Sequence, residues 1–426
     1  MTKVINQARA SRRTSAPIAH VPLHLGLSHL TSHLNRVSLT SQVWVRVSLR
    51  IIAWPYLLLV PSVSFETGKD SRLDKLYRLL ETNSSKSQLP HSELTMATET
   101  EGTFTIGDVS LYTKTWTVRS PQPPAPPPEA SSCQLRSALM HLQPTGPTKA
   151  KLIFLHGFSD HINRYNDFLP YLASQGIEIH GFDQRGWGRS VKEPAHKGLT
   201  GPTSRVLSDI AAFIEAQLPS PVPVFVMGHS MGGGEALSLA CTPEYAELVS
   251  KIRGWVLEAP FLAFPEGEEP SSLKVFMGRL VGRLLPRQHL VNKIPAEYLS
   301  RDPAWQKSVD ADTLCHDTGT LEGLAGMLDR TSDLGSGKLK LSRGVKAMFV
   351  AHGTADRVTS FKASKAWFGG QEMDDAEFKE YEGCLHQLHA DHCKDEFSRD
   401  VSKWILDRAE RGDGDAGTPS NSGSKL

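Results

Sequence analysis

Acidic residues are absent from the first 65 positions of this 426-residue chain, which carry seven Lys or Arg and are rich in Ser. Such a composition is typical of an organelle transit peptide, of translated non-coding sequence upstream of a mis-set start, or of a membrane-associating segment. Met96 opens the first patterned sequence, so we predict residues 1–95 to be an N-terminal extension, disordered or outside the working protein. The apolar run 51–65 is shorter than the roughly 20 residues of a spanning helix and contains Pro55 and Pro61.

Cysteine and net charge are also scarce. The five cysteines show neither zinc-ligand spacing nor a disulfide framework, which favours a reducing compartment. A formal net charge of +1 gives no field that would attract nucleic acid, so we predict no nucleic-acid partner. The length suits one large domain with insertions, or two domains.

Short apolar runs alternate with helix-length amphipathic segments such as 204–218. A hairpin is expected at 102–118, and buried strands are expected at 151–157, 177–183, 222–228, 254–259 and 346–353. This alternation predicts an α/β fold with a mostly parallel sheet that has helices on both faces. The main domain would run from 96 to 410, followed by a disordered tail at 411–426.

Two insertions interrupt this pattern. Residues 119–148 contain a proline-rich loop, and residues 261–343 contain helical segments expected to form a cap or lid. Within the cap, one helical face collects apolar side chains, namely Leu273, Phe276, Met277, Leu280 and Leu284. This face is expected to pack on the main domain or, as the second alternative, to meet a lipid surface, and the two alternatives are compatible.

The segment "VPVFVMGHSMGGGEALSLA" (222–240) joins an apolar run to a helical pattern through a glycine-rich turn. Gly228, His229, Ser230, Met231 and Gly232 fit the pattern G-x-S-x-G. Between a strand and a helix, this pattern predicts a nucleophile elbow, a strained turn that projects the serine hydroxyl above the sheet edge. The elbow also places Ser230 at a helix N-terminus, which favours negative charge.

A serine nucleophile needs a base and an acid that orients the base, in the chain order Ser, acid, His. Asp356 follows the expected strand 346–353, and His386 follows the run "FKEYEG". We therefore predict a catalytic triad of Ser230, Asp356 and His386, with His389 and His392 left as alternatives for the base. The backbone N–H groups of Phe158 and Met231 are the expected oxyanion donors.

The segment "LHQLHADHC" could also supply zinc ligands from His386, His389, His392 and Cys393. No second ligand cluster accompanies it, and His386 has a better use as the base. We therefore predict neither a metal nor a cofactor.

The segments "FLHGFSDHINRYNDFLPYLASQGI", "FDQRGWGRS", "GHSMGGGEALSLA", "LSRDPAWQKSVDADTLCHDTGTLEGLAGMLDR", "HGTADRVTS" and "YEGCLHQLH" carry a family resemblance. Through them the chain from about Thr103 to Glu410 resembles monoacylglycerol lipases, particularly fungal ones, of the α/β-hydrolase superfamily and the serine aminopeptidase S33 (hydrolase-4) type. The resemblance implies an eight-stranded sheet, a helical cap between strands 6 and 7 above an acyl tunnel, and release of fatty acid and glycerol from a monoglyceride.

By position, the family's triad falls on Ser230, Asp356 and His386, and its oxyanion amides fall on Phe158 and Met231. Its contacts with the glycerol end would fall on Asp160, Arg164 and His389. The family often has Glu where Asp160 stands and a small residue where Phe158 stands, so a bulky side chain here could narrow the acyl entrance. Related esterases of this fold stay open as alternatives, namely lysophospholipases, carboxylesterases and acyl-thioesterases, and so does a non-catalytic binding protein.

The last three residues, Ser424, Lys425 and Leu426, match a peroxisomal address that an import receptor reads. We expect a peroxisomal hydrolase with this receptor as a partner. The cytoplasm and the lipid-droplet surface are the alternatives.

Overall fold

The computed structural model describes residues 45–49, 61–65, 97–118 and 148–411. The chain divides into two compact units, Met1–Pro90 and His91–Leu426. In the first unit, β1 (Val45–Leu49) pairs antiparallel with β2 (Pro61–Phe65). Most of the predicted extension, nearly all of the proline-rich insertion and the tail after Arg411 lie outside the described residues.

The second unit alternates strands and helices along its described length. Its strands are β3 (Ala97–Ile106), β4 (Val109–Val118), β5 (Ala150–Leu155), β6 (Ile177–Phe182), β7 (Val224–His229), β8 (Gly254–Glu258), β9 (His289–Val291), β10 (Thr318–Thr320), β11 (Met348–Gly353) and β12 (Ala376–Tyr381). Its helices are α1 (Phe168–Ser174), α2 (Thr203–Glu215), α3 (Met231–Cys241), α4 (Ala246–Ser250), α5 (Ser272–Leu284), α6 (Ala296–Leu299), α7 (Pro303–Ala311), α8 (Leu321–Gly335), α9 (Phe361–Gly369) and α10 (Lys394–Glu410). The five predicted buried strands are present, with ends within two residues of those expected.

Eight strands of residues 97–118 and 148–411 form one sheet in the order β3-β4-β6-β5-β7-β8-β11-β12. The hairpin β3–β4 and the pair β4–β6 are antiparallel, and the other neighbours are parallel. The predicted mostly parallel eight-stranded α/β sheet is therefore confirmed. Its parallel strands end at one edge, where ligands bind in open α/β sheets.

Both faces of the central strands β5, β7, β8 and β11 are buried, as their apolar sequences require. In β5, Ile153 and Leu155 point into one hydrophobic core with α2 and α3, whereas Leu152 and Phe154 point into a second core with α1 and α10. All four side chains are fully buried. Such strands read as continuous apolar runs because each alternate side chain meets a helix layer.

The cap lies between β8 and β11, the sixth and seventh strands of the sheet in chain order. It contains α5 to α8 and a short antiparallel pair, β9 with β10. Helix α5 rests on α8, where Arg279 forms an ion pair with Asp329 and Gly282 lies beside Leu321. None of the described helices is long and apolar enough to cross a membrane.

The apolar face of α5 does not pack on the main domain, so the first alternative for this face is wrong. Leu273, Phe276 and Leu284 are 70%, 63% and 78% exposed, and Met277 and Leu280 are each 45% exposed. Helical periodicity identified which side chains share this face, but it could not show which side of α5 is packed. In the structure α5 packs on α8 through its opposite side.

No disulfide framework was evident from the sequence, but the structure pairs two of the five cysteines. The structure joins Cys384, in the loop after β12, to Cys393, the residue before α10. The pair was missed because the loop folds back on itself within nine residues, which cysteine spacing alone does not reveal. Cys241 and Cys315 are free among the described cysteines.

Candidate active site

A strained turn joins β7 to α3 at Ser230. This residue has φ 55° and ψ −116°, in a region that residues with side chains seldom occupy. Its N–H donates to the carbonyl of Glu258 at 2.9 Å, and its carbonyl accepts from the N–H groups of Gly234 and Phe261 at 3.0 Å each. The neighbouring strand and the new helix therefore fix the turn from both sides.

The two glycines of the G-x-S-x-G pattern are required by close packing. A Cβ atom at Gly228 would lie 2.3 Å from the carbonyl oxygen of Gly232. A Cβ atom at Gly232 would lie 2.4 Å from the carbonyl oxygen of Leu155 at the end of β5. The contacts are with backbone atoms, which cannot move aside without distorting the sheet.

The predicted acid and base meet at the carboxyl edge of the sheet. Asp356 follows β11, and His386 follows β12; His386 Nδ1 lies 2.8 Å from Asp356 Oδ2. His386 and Ser230 line the same cavity. Because Asp356 occupies Nδ1, Nε2 is the ring nitrogen left for proton exchange with a hydroxyl.

The alternatives for the base occupy other surroundings. His389 is buried and bound to Glu258, with Nδ1 at 2.7 Å and its N–H at 3.1 Å from Glu258 Oε1. His392 is exposed. Of the three histidines considered, His386 is the one that contacts Asp356 and lines the cavity with Ser230.

Asp356 is fully buried and remains an anion because donors surround both of its oxygens. Oδ1 accepts from the N–H groups of Val358 at 2.7 Å and Thr359 at 3.0 Å. Oδ2 lies 2.9 Å from the Thr359 hydroxyl and 3.0 Å from His352 Nε2. Burial alone would raise the pKa of Asp356, but the charge of His386 and the hydrogen bonds from His352 and His386 hold that pKa far below its usual range.

The expected oxyanion donors border the same site. Phe158 lines the cavity, and a Cβ atom on Gly157, just before it, would lie 3.3 Å from Ser230 Cβ. Met231 begins α3, where a helix leaves its first N–H groups without internal acceptors. The ring of Phe158 packs edge-on against Trp187, with their ring centres 4.9 Å apart.

Two of the three residues expected to bind the glycerol end reach the cavity. Asp160 and Arg164 line it, whereas His389 does not. Asp160 Oδ2 accepts the Tyr165 hydroxyl at 2.8 Å, and Arg164 Nη2 donates to the Ser308 hydroxyl of the cap at 3.0 Å. His389 instead packs against Tyr165, with ring centres 4.5 Å apart, and its Nδ1 is bound to Glu258 at the end of β8.

The cavity has a volume of about 80 Å³. Ligand sites for small molecules usually measure about 300–1,000 Å³. Cap residues, including Lys293, Ile294 and Val309, form part of its lining. In this form the cavity is too small to enclose a long acyl chain.

The ligands weighed for zinc are separated. His386 contacts Asp356, His389 contacts Glu258, His392 is exposed and Cys393 is joined to Cys384. Within the described residues, three other groups could offer three ligand atoms each: His161, Asp312 and Cys315; His229, Glu258 and His389; and Cys384, Asp391 and Cys393. In each group, members already bind protein partners, such as His161 Nε2 with Asp312 Oδ2 at 2.9 Å.

Sequence reasoning missed several polar residues around the site. His352 and Thr359 contact the carboxylate of Asp356, and Tyr165 lies 2.8 Å from His229 Nδ1. The spacing of His352, at the end of β11, four residues before Asp356 was the available signal. Tyr165 had no comparable signal, because its partner is 64 residues away in the chain.

Three features together define an α/β-hydrolase with a serine as its candidate nucleophile: the strained turn at Ser230, the pair of Asp356 and His386, and the eight-stranded sheet. Residues 146–392 match the family described as serine aminopeptidase, S33, and the chain belongs to that family. The α/β-hydrolase fold expected from the sequence is thereby confirmed.

Related proteins carry lipase names. A protein of Schizosaccharomyces pombe with the provisional name monoglyceride lipase is 30% identical over 265 residues, which cover 61% of this chain and 68% of that protein. The monoglyceride lipase of Mus musculus is 26% identical over 277 residues, 62% of this chain and 85% of that protein.

Two solved structures share the fold. A soluble variant of monoglyceride lipase from Saccharomyces cerevisiae, in complex with a substrate analog, aligns with a TM-score of 0.61 at 18% identity, covering 75% of this chain and all of that one. The monoacylglycerol lipase of Paleococcus ferrophilus aligns with a TM-score of 0.53 at 26% identity, covering 62% of this chain and 96% of that one.

Proposed function

We propose that this protein is a serine ester hydrolase that cleaves monoacylglycerols to fatty acid and glycerol. The observation that carries the proposal is the 2.8 Å contact between His386 and Asp356 beside a cavity that Ser230 also lines. The S33 family match and the monoglyceride lipases among its relatives support the reaction class and the substrate.

In the proposed mechanism, His386 Nε2 accepts the proton of the Ser230 hydroxyl as its oxygen attacks the ester carbonyl. Asp356 holds the imidazole in place and stabilises the imidazolium that forms. The backbone N–H groups of Phe158 and Met231 donate to the oxyanion. The imidazolium then protonates the departing glycerol oxygen, leaving an acyl group on Ser230. His386 next removes a proton from water as the water oxygen attacks the acyl carbonyl. The imidazolium then returns this proton to Ser230 Oγ as the bond between Oγ and the acyl carbon breaks, which releases the fatty acid and restores the serine.

The polar end of the cavity supports glycerol as the alcohol. Asp160 can accept hydrogen bonds from its hydroxyl groups, and Arg164 can donate to them. Lysophospholipids, other carboxylic esters and acyl thioesters are the competing substrates, because the same triad chemistry would cleave each of them.

The proposal extends to transient contact between the cap and a lipid surface. Three α5 side chains, those of Leu273, Phe276 and Leu284, are more than 60% exposed. The exposed Arg283 and Arg287 lie nearby and suit anionic headgroups. An apolar helix face on the cap would bring the protein to the lipid in which such a substrate resides.

The reaction is tested with a fluorophosphonate probe and a panel of purified esters. We expect the probe to label the protein and Ser230→Ala to abolish both labelling and hydrolysis. In the panel, monoacylglycerols should have a higher kcat/KM than lysophospholipids or acyl-CoA. Labelling that persists in Ser230→Ala would reject Ser230 as the nucleophile, and a preference for another ester would reject the substrate.

We also propose that the protein acts in peroxisomes and contributes to lipid degradation there. The tripeptide Ser424-Lys425-Leu426 supports this compartment. A fluorescent protein ending in residues 411–426 should collect in peroxisomes, and the same fusion with Leu426→Ser should not. A diffuse signal from the intact fusion would contradict the proposal.

A further inference from the structure

The carboxylate of Asp356 binds a second imidazole that the proposed mechanism does not use. His352 Nε2 lies 3.0 Å from Asp356 Oδ2, the same oxygen that His386 Nδ1 approaches to 2.8 Å. We propose that His352 is a positioning residue, which donates a hydrogen bond to Oδ2 and holds the carboxylate in the orientation that His386 needs. This inference rests on the proposed function, because it concerns the same triad.

The surroundings of His352 fix its position, so it can restrict the movement of the Asp356 carboxylate. It belongs to β11, where it pairs with Glu380 of β12, and its side chain is fully buried. The ring of Phe361 packs edge-on against it, with ring centres 5.8 Å apart. Its position is therefore set by the sheet and not by a loop, which limits movement of the ring.

The partners of the two ring nitrogens assign the tautomer of His352. An ionised carboxylate only accepts hydrogen bonds, so Nε2 must carry the proton that points to Asp356 Oδ2. Nδ1 is buried and has no hydrogen-bond partner within the described residues. A proton on Nδ1 would thus be buried without an acceptor, which is costly. The arrangement fits a neutral ring with its hydrogen on Nε2.

The hydroxyl of Thr359, the other donor near Oδ2, has a second acceptor within hydrogen-bond distance. The hydroxyl of Thr359 lies 2.9 Å from Asp356 Oδ2 and 3.1 Å from the carbonyl oxygen of Ala259, and its single proton can serve only one of them at a time. His352 Nε2 lies 3.3 Å from the Thr359 hydroxyl oxygen but 3.0 Å from Asp356 Oδ2, so the carboxylate is the nearer acceptor for its proton.

Holding the carboxylate has two opposing effects on catalysis. A second donor withdraws charge from Oδ2 and so weakens its stabilisation of the imidazolium on His386. It also prevents rotation of the carboxylate, and misplacement of a catalytic group by about 1 Å can cost about 100-fold in rate. We expect the effect on charge to be the smaller one, because the two backbone N–H groups on Oδ1 keep Asp356 ionised with or without His352. The contact of His352 then acts mainly on the direction of Oδ2, the oxygen that His386 approaches.

The test uses the full chain with His352→Leu, which removes the donor at similar volume, and His352→Gln, whose amide can donate from about the position of Nε2. Rates are measured with a short-chain, water-soluble ester and with the fluorophosphonate probe. For His352→Leu we expect kcat and the labelling rate to fall about 10- to 100-fold, the worth of a hydrogen bond to a charged group. KM should stay within about twofold, and His352→Gln should recover most of the loss.

A matched control separates positioning from packing. Phe361→Leu alters the packing beside the ring of His352 but leaves the hydrogen bond to Asp356, so both rates should remain near those of the wild type. The low-field proton resonance of His386 Nδ1–H gives a second measurement of the Asp–His hydrogen bond. It should shift or broaden in His352→Leu and keep its position in His352→Gln.

The inference is overturned if His352→Leu stays within about threefold of the wild type, or if His352→Gln is impaired as much as His352→Leu. If His352→Leu does not fold, His352→Gln decides: a retained resonance with near-normal kcat supports the inference, and loss of both overturns it. A wild-type protein that the probe does not label would overturn the proposed function itself, whereas labelled wild type with an unimpaired His352→Leu would overturn only the role of His352.

Discussion

Ser230 keeps its strained backbone conformation because the residues packed around the turn leave no room for a different one. Gly228 lies against the backbone of Gly232 and Gly233, where an added Cβ atom would come within 2.3 Å and 2.7 Å of main-chain atoms. No flexible side chain is available to yield. The reactive position of the serine thus depends on neighbouring glycines, which have no Cβ atom.

We therefore expect Gly228→Ala to lower the free energy of unfolding by about 3 kcal/mol or more and to abolish fluorophosphonate labelling. Gly278→Ala is the control, because a Cβ atom there meets nothing within 4 Å. In helix α5 that change should be neutral or stabilise by up to about 1 kcal/mol. Urea unfolding followed by tryptophan fluorescence measures both; equal stability of Gly228→Ala and the wild type would contradict the packing argument.

A buried acid on the nucleophile helix gives a residue-scale prediction about pH. Glu235 of α3 pairs with Arg330 of the cap helix α8 at 3.2 Å, and its Oε2 has no partner within the described residues. Burial raises the pKa of Glu235 to about 7 from 4.5, although the charge of Arg330 opposes the rise. Between these two pH values, the folded protein keeps a proton that the unfolded chain has released.

Stability contributed by this proton is fully present below pH 4.5 and is lost as the pH rises through about 7. Relative to Glu235→Gln, the wild type should lose about 3 kcal/mol of unfolding free energy between pH 4.5 and pH 8. Urea titrations at several pH values give the two profiles. Parallel profiles would show that Glu235 does not titrate in this window.

At the scale of single elements, helix α5 has an exposed apolar face that needs a functional explanation. Its apolar face carries Leu273, Phe276 and Leu284, none of which is covered in the described structure. A fully buried large apolar side chain contributes about 1.5–3 kcal/mol relative to an exposed one. Inserting this face into a lipid interface would recover part of that free energy.

The double change Phe276→Ser and Leu284→Ser should therefore weaken binding to anionic lipid vesicles by at least about tenfold. Hydrolysis of a water-soluble, short-chain ester should be unchanged, because neither residue lines the cavity. Vesicle co-sedimentation and parallel assays on the two substrates measure these effects. Unaltered vesicle binding would show that α5 is not the docking surface.

At the scale of the whole molecule, the second unit contains the residues named above for the candidate site. The division between the two units falls at Pro90 and His91, and β3 begins just after it, at Ala97. The edge strand β3 is paired with β4 along its whole length, from Ala97 opposite Val118 to Ile106 opposite Val109. The sheet therefore needs no residue before Ala97 to form this edge.

A chain that begins at Met96 should therefore fold and keep kcat/KM within about threefold of the full chain on a soluble ester. The cavity-lining residues that the structure describes run from Gly157 to Gln387 and all follow Met96. Steady-state kinetics and thermal unfolding of the two proteins provide the comparison. A large loss of activity in the shorter chain would assign the first unit a role in catalysis or folding.

Much of the site could be predicted because its signals are local. The G-x-S-x-G turn lies between a strand and a helix, and Asp356 and His386 each follow a strand in the chain order expected of the fold. The position of His389 could not be predicted, and the spacing of His352 before Asp356 was a signal that did not by itself show their contact. His389 is held by Glu258, 131 residues away in the chain, and His352 by a carboxylate whose own orientation depends on the folded loop.

By itself, the sequence determined the alternation of strands and helices, the glycines of the elbow and the apolar face of α5. Local sterics and the periodicity of burial govern these features, so neighbouring residues are enough to specify them. Tertiary structure decided which histidine meets Asp356, that Cys384 joins Cys393, and that the α5 face stays exposed. Each depends on how distant segments pack at the carboxyl edge of one sheet, and strand register and loop closure fix that packing only once the chain has folded.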